Sequence, residues 1–181
     1  MPTPAPYGTA GLARAQRGVA KLAAIVAVAL LAAAGAWFTL APASKAPDTT
    51  FTSIHGESIT TESLRGKVVL VNFWATSCVT CVKEMPMMVE TYNKYAPQGY
   101  EMIAVAMSYD PANYVLNFAQ TRQLPFKVAL DPMGEIARSF EDVKLTPTSF
   151  LIDKQGRIIK RYLGEPDKAE FHAAIEKALA S

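Results

Sequence analysis

The longest hydrophobic segment of the chain lies near its amino terminus and contains no charged residue. Residues 22–40 are 19 consecutive uncharged residues, mostly Ala, Leu and Val. As an α-helix this segment would be ~29 Å long, which matches the ~30 Å hydrocarbon core of a bilayer. The pattern therefore predicts one membrane-spanning helix, bounded by residues 19–40.

After residue 50 the hydrophobic residues fall into short runs and helical spacings, as in a folded domain. Unbroken runs predict buried strands, and spacings of three and four residues predict amphipathic helices. The predicted elements are a hairpin at 51–60, strands at 67–74, 101–107, 126–130, 148–152 and 157–163, and helices at 79–95, 113–122, 133–140 and 167–179. This alternation predicts an α/β sandwich with a central mixed sheet.

These segments divide the chain into four regions. We predict a cytoplasmic tail at 1–18, a transmembrane signal anchor at 19–40, a linker at 41–50 and one folded domain at 51–181. The linker is assigned because it contains two prolines and several small residues, a composition typical of spacers. About 130 residues can bury a core without structural disulfides, so cysteines in this domain are free for chemistry.

The positions of positive charges predict the orientation of the anchor. Arg14, Arg17 and Lys21 precede the hydrophobic segment, whereas only Lys45 follows it closely. Because the more cationic flank stays in the cytoplasm, we expect the domain in the periplasm or otherwise outside the cytoplasm. A cleaved signal peptide ending near residues 41–43 is an alternative, but the length of the segment favours a single-pass anchor in the inner (cytoplasmic) membrane.

Charge also limits the class of partner. After residue 40 the chain carries 15 Lys and Arg and 16 Asp and Glu, so the predicted domain is almost neutral. Acidic residues are interleaved with the basic ones, including those around Lys160 and Arg161. The sequence therefore predicts no nucleic-acid partner.

The two cysteines of the chain, Cys78 and Cys81, lie where the strand at 67–74 gives way to the helix at 79–95. A helix amino terminus stabilises the thiolate form, so Cys78 is the predicted nucleophile. Cys81 lies one helical turn later and can resolve a mixed disulfide. The alternative is zinc, which needs about four protein ligands, but only His55 and His172 remain and both are distant in sequence.

At this motif the sequence resembles a known family. Residues 71–81, VNFWATSCVTC, resemble the active-site segment of thioredoxin-fold proteins, and residues 83–86, KEMP, resemble the membrane-anchored TlpA/ResA group of thiol-disulfide oxidoreductases. Residues 146–153, TPTSFLID, are similar to the family's cis-proline segment. The resemblance covers the domain from residue 51 and implies a thioredoxin-like fold in which residues 111–130 are the family's helix-strand insertion.

The resemblance implies an enzyme that reduces disulfides of specific exported proteins, as in cytochrome c maturation or copper-site assembly. It implies that Cys78 attacks the partner disulfide, that Cys81 resolves it, and that Thr146, Pro147 and Trp74 bind the substrate. A membrane thiol-disulfide donor would supply the electrons. No cofactor and no metal are expected.

Two departures from the family pattern bear on the mechanism. Asn72 stands where thioredoxin has a buried acid that handles the proton of the second cysteine. Asp110 is a candidate proton relay if its loop bends inward, although a helix cap before Pro111 is the simpler interpretation. Ser77 and the Val-Thr pair at 79–80 replace the more usual Trp and Pro-containing pair, which leaves the redox potential open.

Three other functions remain to be weighed. Met85, Met87 and Met88 suggest a copper-binding assembly factor of the Sco type, but that class has a C-x-x-x-C motif and methionines at helical spacing commonly fill cores. A peroxiredoxin would need a proline shortly before a Thr-x-x-Cys, which residues 72–77 lack. A periplasmic thiol oxidant would use the same dithiol in the opposite direction.

Overall fold

In a computed structural model of the protein, the residues described are Val26 and residues 44–181. The predicted cytoplasmic tail, the predicted membrane-spanning helix at 19–40 and the first residues of the predicted linker lie outside this description, Val26 excepted. Within the described residues, no helix is both long enough and apolar enough to cross a bilayer.

The described residues form an α/β fold with one seven-stranded sheet. Its strands are β1 Thr50–Ser53, β2 Ser58–Thr60, β3 Val68–Trp74, β4 Tyr100–Ala106, β5 Lys127–Leu130, β6 Thr148–Ile152 and β7 Ile158–Leu163. The α-helices are α1 Val79–Tyr95, α2 Ala112–Thr121, α3 Glu135–Ser139 and α4 Lys168–Ala180, and short 3₁₀ turns lie at Glu62–Leu64 and Ala96–Gln98. The elements predicted for residues 51–181 are all present, with ends that differ by at most two residues.

The sheet has the order β2-β1-β5-β4-β3-β6-β7 and is mixed. The central strands β3, β4 and β5 are parallel, whereas β6 runs antiparallel to β3 and β7 antiparallel to β6. The carboxyl ends of β3, β4 and β5 therefore lie at the same end of the sheet as the start of β6 and the end of β7. We call this the dithiol end, because the cysteine pair follows β3.

Hydrophobic side chains cover both faces of the sheet. All seven residues of β3 are buried, which explains why its sequence is an almost unbroken apolar run rather than an alternating one. One face packs against α1, α2 and α4 through residues such as Met88, Val115 and Phe171. The other face is covered by aliphatic side chains together with a group of aromatic rings that includes Phe140 and Phe150. Because β3 is buried on both faces, its position in the sheet is well defined. The residues that follow it, including the cysteine pair, are positioned by this strand.

The start of the fold differs from the prediction. Residues 44–50 were expected to belong to a linker, yet Ala46 is buried and its N–H donates to the Gly156 carbonyl at 2.9 Å. The N–H of Ile158 donates to the Ser44 carbonyl at 2.7 Å, so this segment pairs with the start of β7. Backbone pairing of this kind carries no strong hydrophobic signal, so the sequence did not reveal it.

The sequence favours a surface position for His172, beside the apolar face of the predicted helix at 167–179, but the structure differs. Its ring is partly buried between helices, where Nε2 lies 2.9 Å from the Oγ1 of the fully buried Thr91. The ring also meets that of Tyr95 edge to face, with centroids 5.3 Å apart. His172 therefore joins α4 to α1.

Candidate active site

The cysteine pair is positioned by the turn between β3 and α1. Cys78 is the amino-terminal cap of α1, and its N–H donates to the Ala75 carbonyl at 3.1 Å, which closes the turn. The cap residue keeps an extended backbone while the helix begins at Val79. The sulfur of Cys78 therefore lies where the first backbone N–H groups of a 17-residue helix point.

Cys78 and Cys81 are joined by a disulfide, with Cα atoms 5.2 Å apart. The Cys81 N–H donates to Cys78 Sγ at 3.2 Å. Cys78 is partly exposed, whereas Cys81 is fully buried. After reduction, the same N–H and the helix dipole favour a thiolate on the sulfur that a partner can reach.

The loop before β6 lies against the cysteine pair. The Thr146–Pro147 peptide bond is cis, and the Thr146 carbonyl oxygen is 3.6 Å from Cys78 Sγ. On the other side of this loop, the Gly164 N–H donates to the Pro147 carbonyl at 2.8 Å, which ties the loop to the end of β7. The structure thus places the Thr146 carbonyl against Cys78, and the substrate-binding role that the resemblance implies for Thr146 and Pro147 stays a prediction.

Asp110 lies in this site but does not cap a helix. Pro111 is the cap residue of α2 and makes no side-chain cap bond. The Asp110 carboxylate instead accepts from the N–H and from the hydroxyl of Thr76, each at 2.6 Å. The expectation of a helix cap is therefore wrong, because the loop after β4 turns inward and holds the loop that carries the cysteines.

Trp74 does not reach the surface of the site. Its side chain is fully buried and its ring packs against Phe118 with centroids 5.2 Å apart. The Trp74 side chain packs inside the core at the end of β3, so in this structure it cannot touch a substrate. The predicted substrate-binding role of Trp74 therefore does not fit its position.

Glu84 is a functional candidate that the sequence reasoning missed. It lies on α1, three residues after Cys81, and is fully buried. The Asn72 side-chain amide donates to Glu84 Oε1 at 3.1 Å and to Ser149 Oγ at 2.9 Å. Glu84 was recognisable in principle, because it lies three residues after Cys81 and four before Met88 and so shares their buried face of the helix.

The surroundings of Glu84 alter its protonation. Burial raises the pKa of its carboxyl to about 7; the hydrogen bond from Asn72 opposes this rise and the charge of Glu165 adds to it. Glu165 is itself paired with Lys83 at 2.9 Å. A carboxylic acid that titrates near neutral pH, one helical turn from a buried thiol, is suited to proton transfer.

The methionines that suggested copper binding pack in the hydrophobic core. Met85 and Met88 are buried in the core beneath α1, where they pack with the apolar residues of the sheet. Among the described residues, no group of three or more His, Cys, Asp or Glu side chains is arranged to hold a metal ion. The chemistry that the site displays is that of the dithiol.

The fold and this paired-cysteine site define a thioredoxin-like redox protein. The model of the Redoxin family matches residues 41–179. Thiol-disulfide oxidoreductase ResA from Bacillus thuringiensis subsp. konkukian (strain 97-27) is 42% identical over 134 residues, which cover 74% of this chain and 76% of the relative. The ResA protein of Bacillus subtilis (strain 168) is 32% identical over 134 residues, which cover 74% of each chain.

A solved structure agrees with these relatives. The crystal structure of a thiol:disulfide interchange protein of the thioredoxin family from Chlorobium tepidum TLS aligns with a TM-score of 0.70 and 29% identity, covering 77% of this chain and 98% of that one. The chain belongs to the Redoxin family, in the group of ResA-like thiol-disulfide oxidoreductases. Its function is accordingly thiol-disulfide oxidoreduction.

Proposed function

We propose that this protein reduces disulfides of exported proteins with Cys78 as the nucleophile and Cys81 as the resolving thiol. The observation that carries the proposal is the asymmetry of the pair. Cys78 is partly exposed, and its sulfur receives a backbone N–H bond at the start of α1 and lies 3.6 Å from the Thr146 carbonyl. Cys81 is fully buried, so a partner reaches it only through Cys78.

The reaction then has two exchange steps. The Cys78 thiolate attacks one sulfur of the partner disulfide, forms a mixed disulfide and releases the other partner sulfur as a thiolate. Cys81 loses its proton and attacks the Cys78 sulfur, which breaks the mixed disulfide and releases the second partner thiolate. Two electrons pass from the dithiol to the partner, and a membrane thiol-disulfide donor returns them to the Cys78–Cys81 disulfide.

Glu84 is the proposed acceptor for the proton of Cys81. It follows Cys81 by three residues in α1, so both side chains project from one face of the helix. Its Oε2 is buried without a hydrogen-bond partner among the described residues, and its pKa near 7 suits it to take a proton and return it. Asn72 and Ser149 hold the other carboxylate oxygen in place through the Asn72 amide.

The cellular setting belongs to the same proposal. The uncharged segment at 22–40 supports a single membrane anchor, and the cations before it support a domain outside the cytoplasm. A tethered domain stays near a membrane electron donor, which raises the effective concentration of the two. Reduction of specific exported proteins, of the kind needed for cytochrome c maturation or copper-site assembly, fits this arrangement.

Trapping with single-cysteine variants tests the assignment of roles. Cys81→Ser should accumulate stable mixed disulfides through Cys78, whereas Cys78→Ser should abolish exchange. Alkylation of the reduced wild type at mildly acidic pH, followed by mass analysis, should label Cys78 first. Labelling of Cys81 before Cys78 would show that the two roles are reversed.

The redox potential tests the direction. An equilibrium potential near the thioredoxin range, ~−270 mV, supports a reductase. A value near ~−120 mV, at the strong-oxidant end, would make the protein a disulfide donor instead. The measurement uses the domain equilibrated with defined ratios of reduced and oxidised glutathione or dithiothreitol, with tryptophan fluorescence or thiol labelling as the readout.

A further inference from the structure

One ion pair connects α1 to the loop between β7 and α4. Lys83 Nζ lies 2.9 Å from Glu165 Oε2. Lys83 directly precedes Glu84 in α1, and Glu165 is the second residue after the end of β7. Because β7 finishes at the dithiol end of the sheet, the pair lies at the turn of α1 that carries the proposed proton acceptor.

The loop that carries Glu165 is held on both sides of this residue. The Gly164 N–H donates to the Pro147 carbonyl at 2.8 Å, and Pro166 is buried. Asp167 then caps the start of α4. These contacts leave the backbone of the loop little freedom, so the Glu165 carboxylate has a defined position relative to α1.

The ion pair is too exposed to contribute much to the stability of the fold. The Lys83 side chain is 72% exposed and the Glu165 side chain 34%. Exposed pairs gain little from their attraction, because water screens the charges and two long side chains must be held in one geometry. Substitutions in this pair should therefore change the charge near Glu84 without unfolding the domain.

The other groups that face Glu84 carry no charge that would balance its own. From β3, the Asn72 amide donates to Glu84 Oε1 and also to Ser149 of β6, and both of these side chains are neutral. Cys81 lies one turn earlier on the same helix and is fully buried. The charge of Glu165 adds to burial in raising the pKa of Glu84. A charge at this loop acts strongly on Glu84, because little water lies around a buried carboxyl group.

We propose that Lys83 and Glu165 are positioning residues for proton transfer: their ion pair keeps a carboxylate beside Glu84 and so sets the pH range in which Glu84 accepts the proton of Cys81. The inference rests on the proposed function, in which the proton passes from Cys81 Sγ to the Glu84 carboxylate and the resulting thiolate attacks Cys78. Glu165 keeps Glu84 protonated to a higher pH, whereas Lys83 partly neutralises Glu165 and limits this effect.

The signs of two substitutions test the pair. The titration of Glu84 is followed by carbon NMR in the oxidised full-length protein in detergent, with isotope-labelled glutamate and with Glu84→Gln to identify the resonance. Glu165→Gln should move the midpoint to lower pH, because the charge that raises the pKa is removed and Lys83 is left unpaired. Lys83→Gln should move it to higher pH, because Glu165 is no longer neutralised. Each displacement should reach at least ~0.3 pH units, a twofold change in the ratio of protonated to ionised Glu84.

Control variants distinguish charge from damage to the loop. Lys83→Arg keeps the charge and should titrate like wild type, and the double variant Lys83→Gln/Glu165→Gln should lie between the two single ones. Glu57 and Lys127 form a matched exposed pair at 2.8 Å in the hairpin region, and Glu57→Gln and Lys127→Gln should leave the Glu84 midpoint unchanged.

Two outcomes of the titration would overturn the role of the pair. Displacement in the same direction for Lys83→Gln and Glu165→Gln would show that both substitutions only loosen the loop. Unchanged midpoints would show that the charges of the pair do not act on Glu84.

The pH profile of disulfide exchange separates this inference from the proposed function. With a peptide disulfide as substrate, the midpoint of the profile should move in the same direction as that of Glu84 in each variant. If the Glu84 midpoints move and the profiles do not, Glu84 is not the proton acceptor of Cys81, and the pair has no role in the reaction. A wild-type protein that reduces no disulfide after its own reduction would contradict the proposed function itself, whatever the titration shows.

Discussion

At the scale of single residues, Glu84 couples the stability of the oxidised domain to pH. Its pKa is raised to about 7 from an ordinary value of 4.5, chiefly by burial. Between these values the folded protein holds a proton that the unfolded chain has released. The free energy of unfolding therefore falls as pH rises from 4.5 to 7, by about 3 kcal/mol in all, and this contribution is constant above that range.

Replacing Glu84 with Gln should remove this dependence. Relative to wild type, the stability of Glu84→Gln should rise by about 2.5 kcal/mol on going from pH 5 to pH 8, because the amide has no charge to bury. Urea unfolding of the oxidised proteins at both pH values measures the effect. Glu135→Gln, at an exposed position, is the control and should follow the wild type. Parallel behaviour of wild type and Glu84→Gln would exclude a buried acid with a raised pKa.

Asp110 illustrates a second residue whose role only the tertiary structure reveals. Its carboxylate accepts two charge-assisted bonds from Thr76, whereas an asparagine in its place would make only neutral bonds and would require the Thr76 hydroxyl to accept instead of donate. Asp110→Asn should therefore destabilise the domain by about 1–3 kcal/mol in denaturant unfolding. The exposed Asp142→Asn is the control, with little effect expected.

The same Asp110 variant decides between structural and proton-relay roles. If the carboxylate only holds Thr76, the pH profile of disulfide exchange should keep its shape in Asp110→Asn. A profile displaced in pH, with stability retained, would restore the proton relay that the sequence suggested and would weaken the case for Glu84.

At the scale of elements, the sequence was sufficient where burial follows a regular pattern. The run before Trp74 predicted β3, and the helical spacing of Met85 and Met88 predicted the buried face of α1. The polar residues on those elements were harder to interpret. Asn72 is buried within β3 and Glu84 on the buried face of α1, and their partnership depends on how helix and sheet pack.

The inward turn of the loop after β4 was likewise unpredictable from local sequence. Asp110 before Pro111 fits the pattern of a helix cap, and a capping bond would have satisfied it locally. The actual partner, Thr76, is 34 residues away in the chain. Long-range polar contacts of this kind, like the pairing of Ser44 with Ile158, leave no periodic signal in the sequence.

The contact between α1 and α4 predicts a second pH effect, opposite in sign to that of Glu84. Burial lowers the pKa of His172, and the charges of Lys94 and Lys168 lower it further. The unfolded chain thus binds a proton near pH 6.5 that the folded protein resists, so His172 reduces stability as pH falls below that value.

His172→Gln should relieve this loss, since the amide can still bond to Thr91 but does not become charged. Unfolding at pH 5 and pH 7.5 should show a smaller loss on acidification in His172→Gln than in wild type. His55→Gln, in an exposed turn, is the matched control and should behave like wild type. Comparison with wild type at each pH cancels the contribution of Glu84, which both proteins share. An identical loss in both proteins would place the acid sensitivity elsewhere.

At the scale of the whole molecule, the proposed function requires that the dithiol work outside the cytoplasm. The domain after residue 40 is almost neutral, and the three cations before the hydrophobic segment account for the net positive charge of the chain. The excess of positive charge thus lies before the hydrophobic segment and not in the domain. The reaction is inferred from the family, whereas the location outside the cytoplasm is inferred from these three cations and the hydrophobic segment that follows them.

A fusion of alkaline phosphatase after Ser181 tests that location, because the phosphatase is active only outside the cytoplasm. We expect an active fusion that remains in the membrane fraction, since the uncharged segment at 22–40 is long enough to span the bilayer and the cations before it favour a cytoplasmic amino terminus. The matched control is the same fusion on a chain beginning at Ser44, which should keep the contacts of residues 44–46 with β7 but be inactive and soluble. An active fusion released with an amino terminus near Ser44 would show that the segment is a cleaved signal peptide. The proposed membrane anchor would then be wrong, but export of the domain would still be supported. An inactive full-length fusion would contradict export itself.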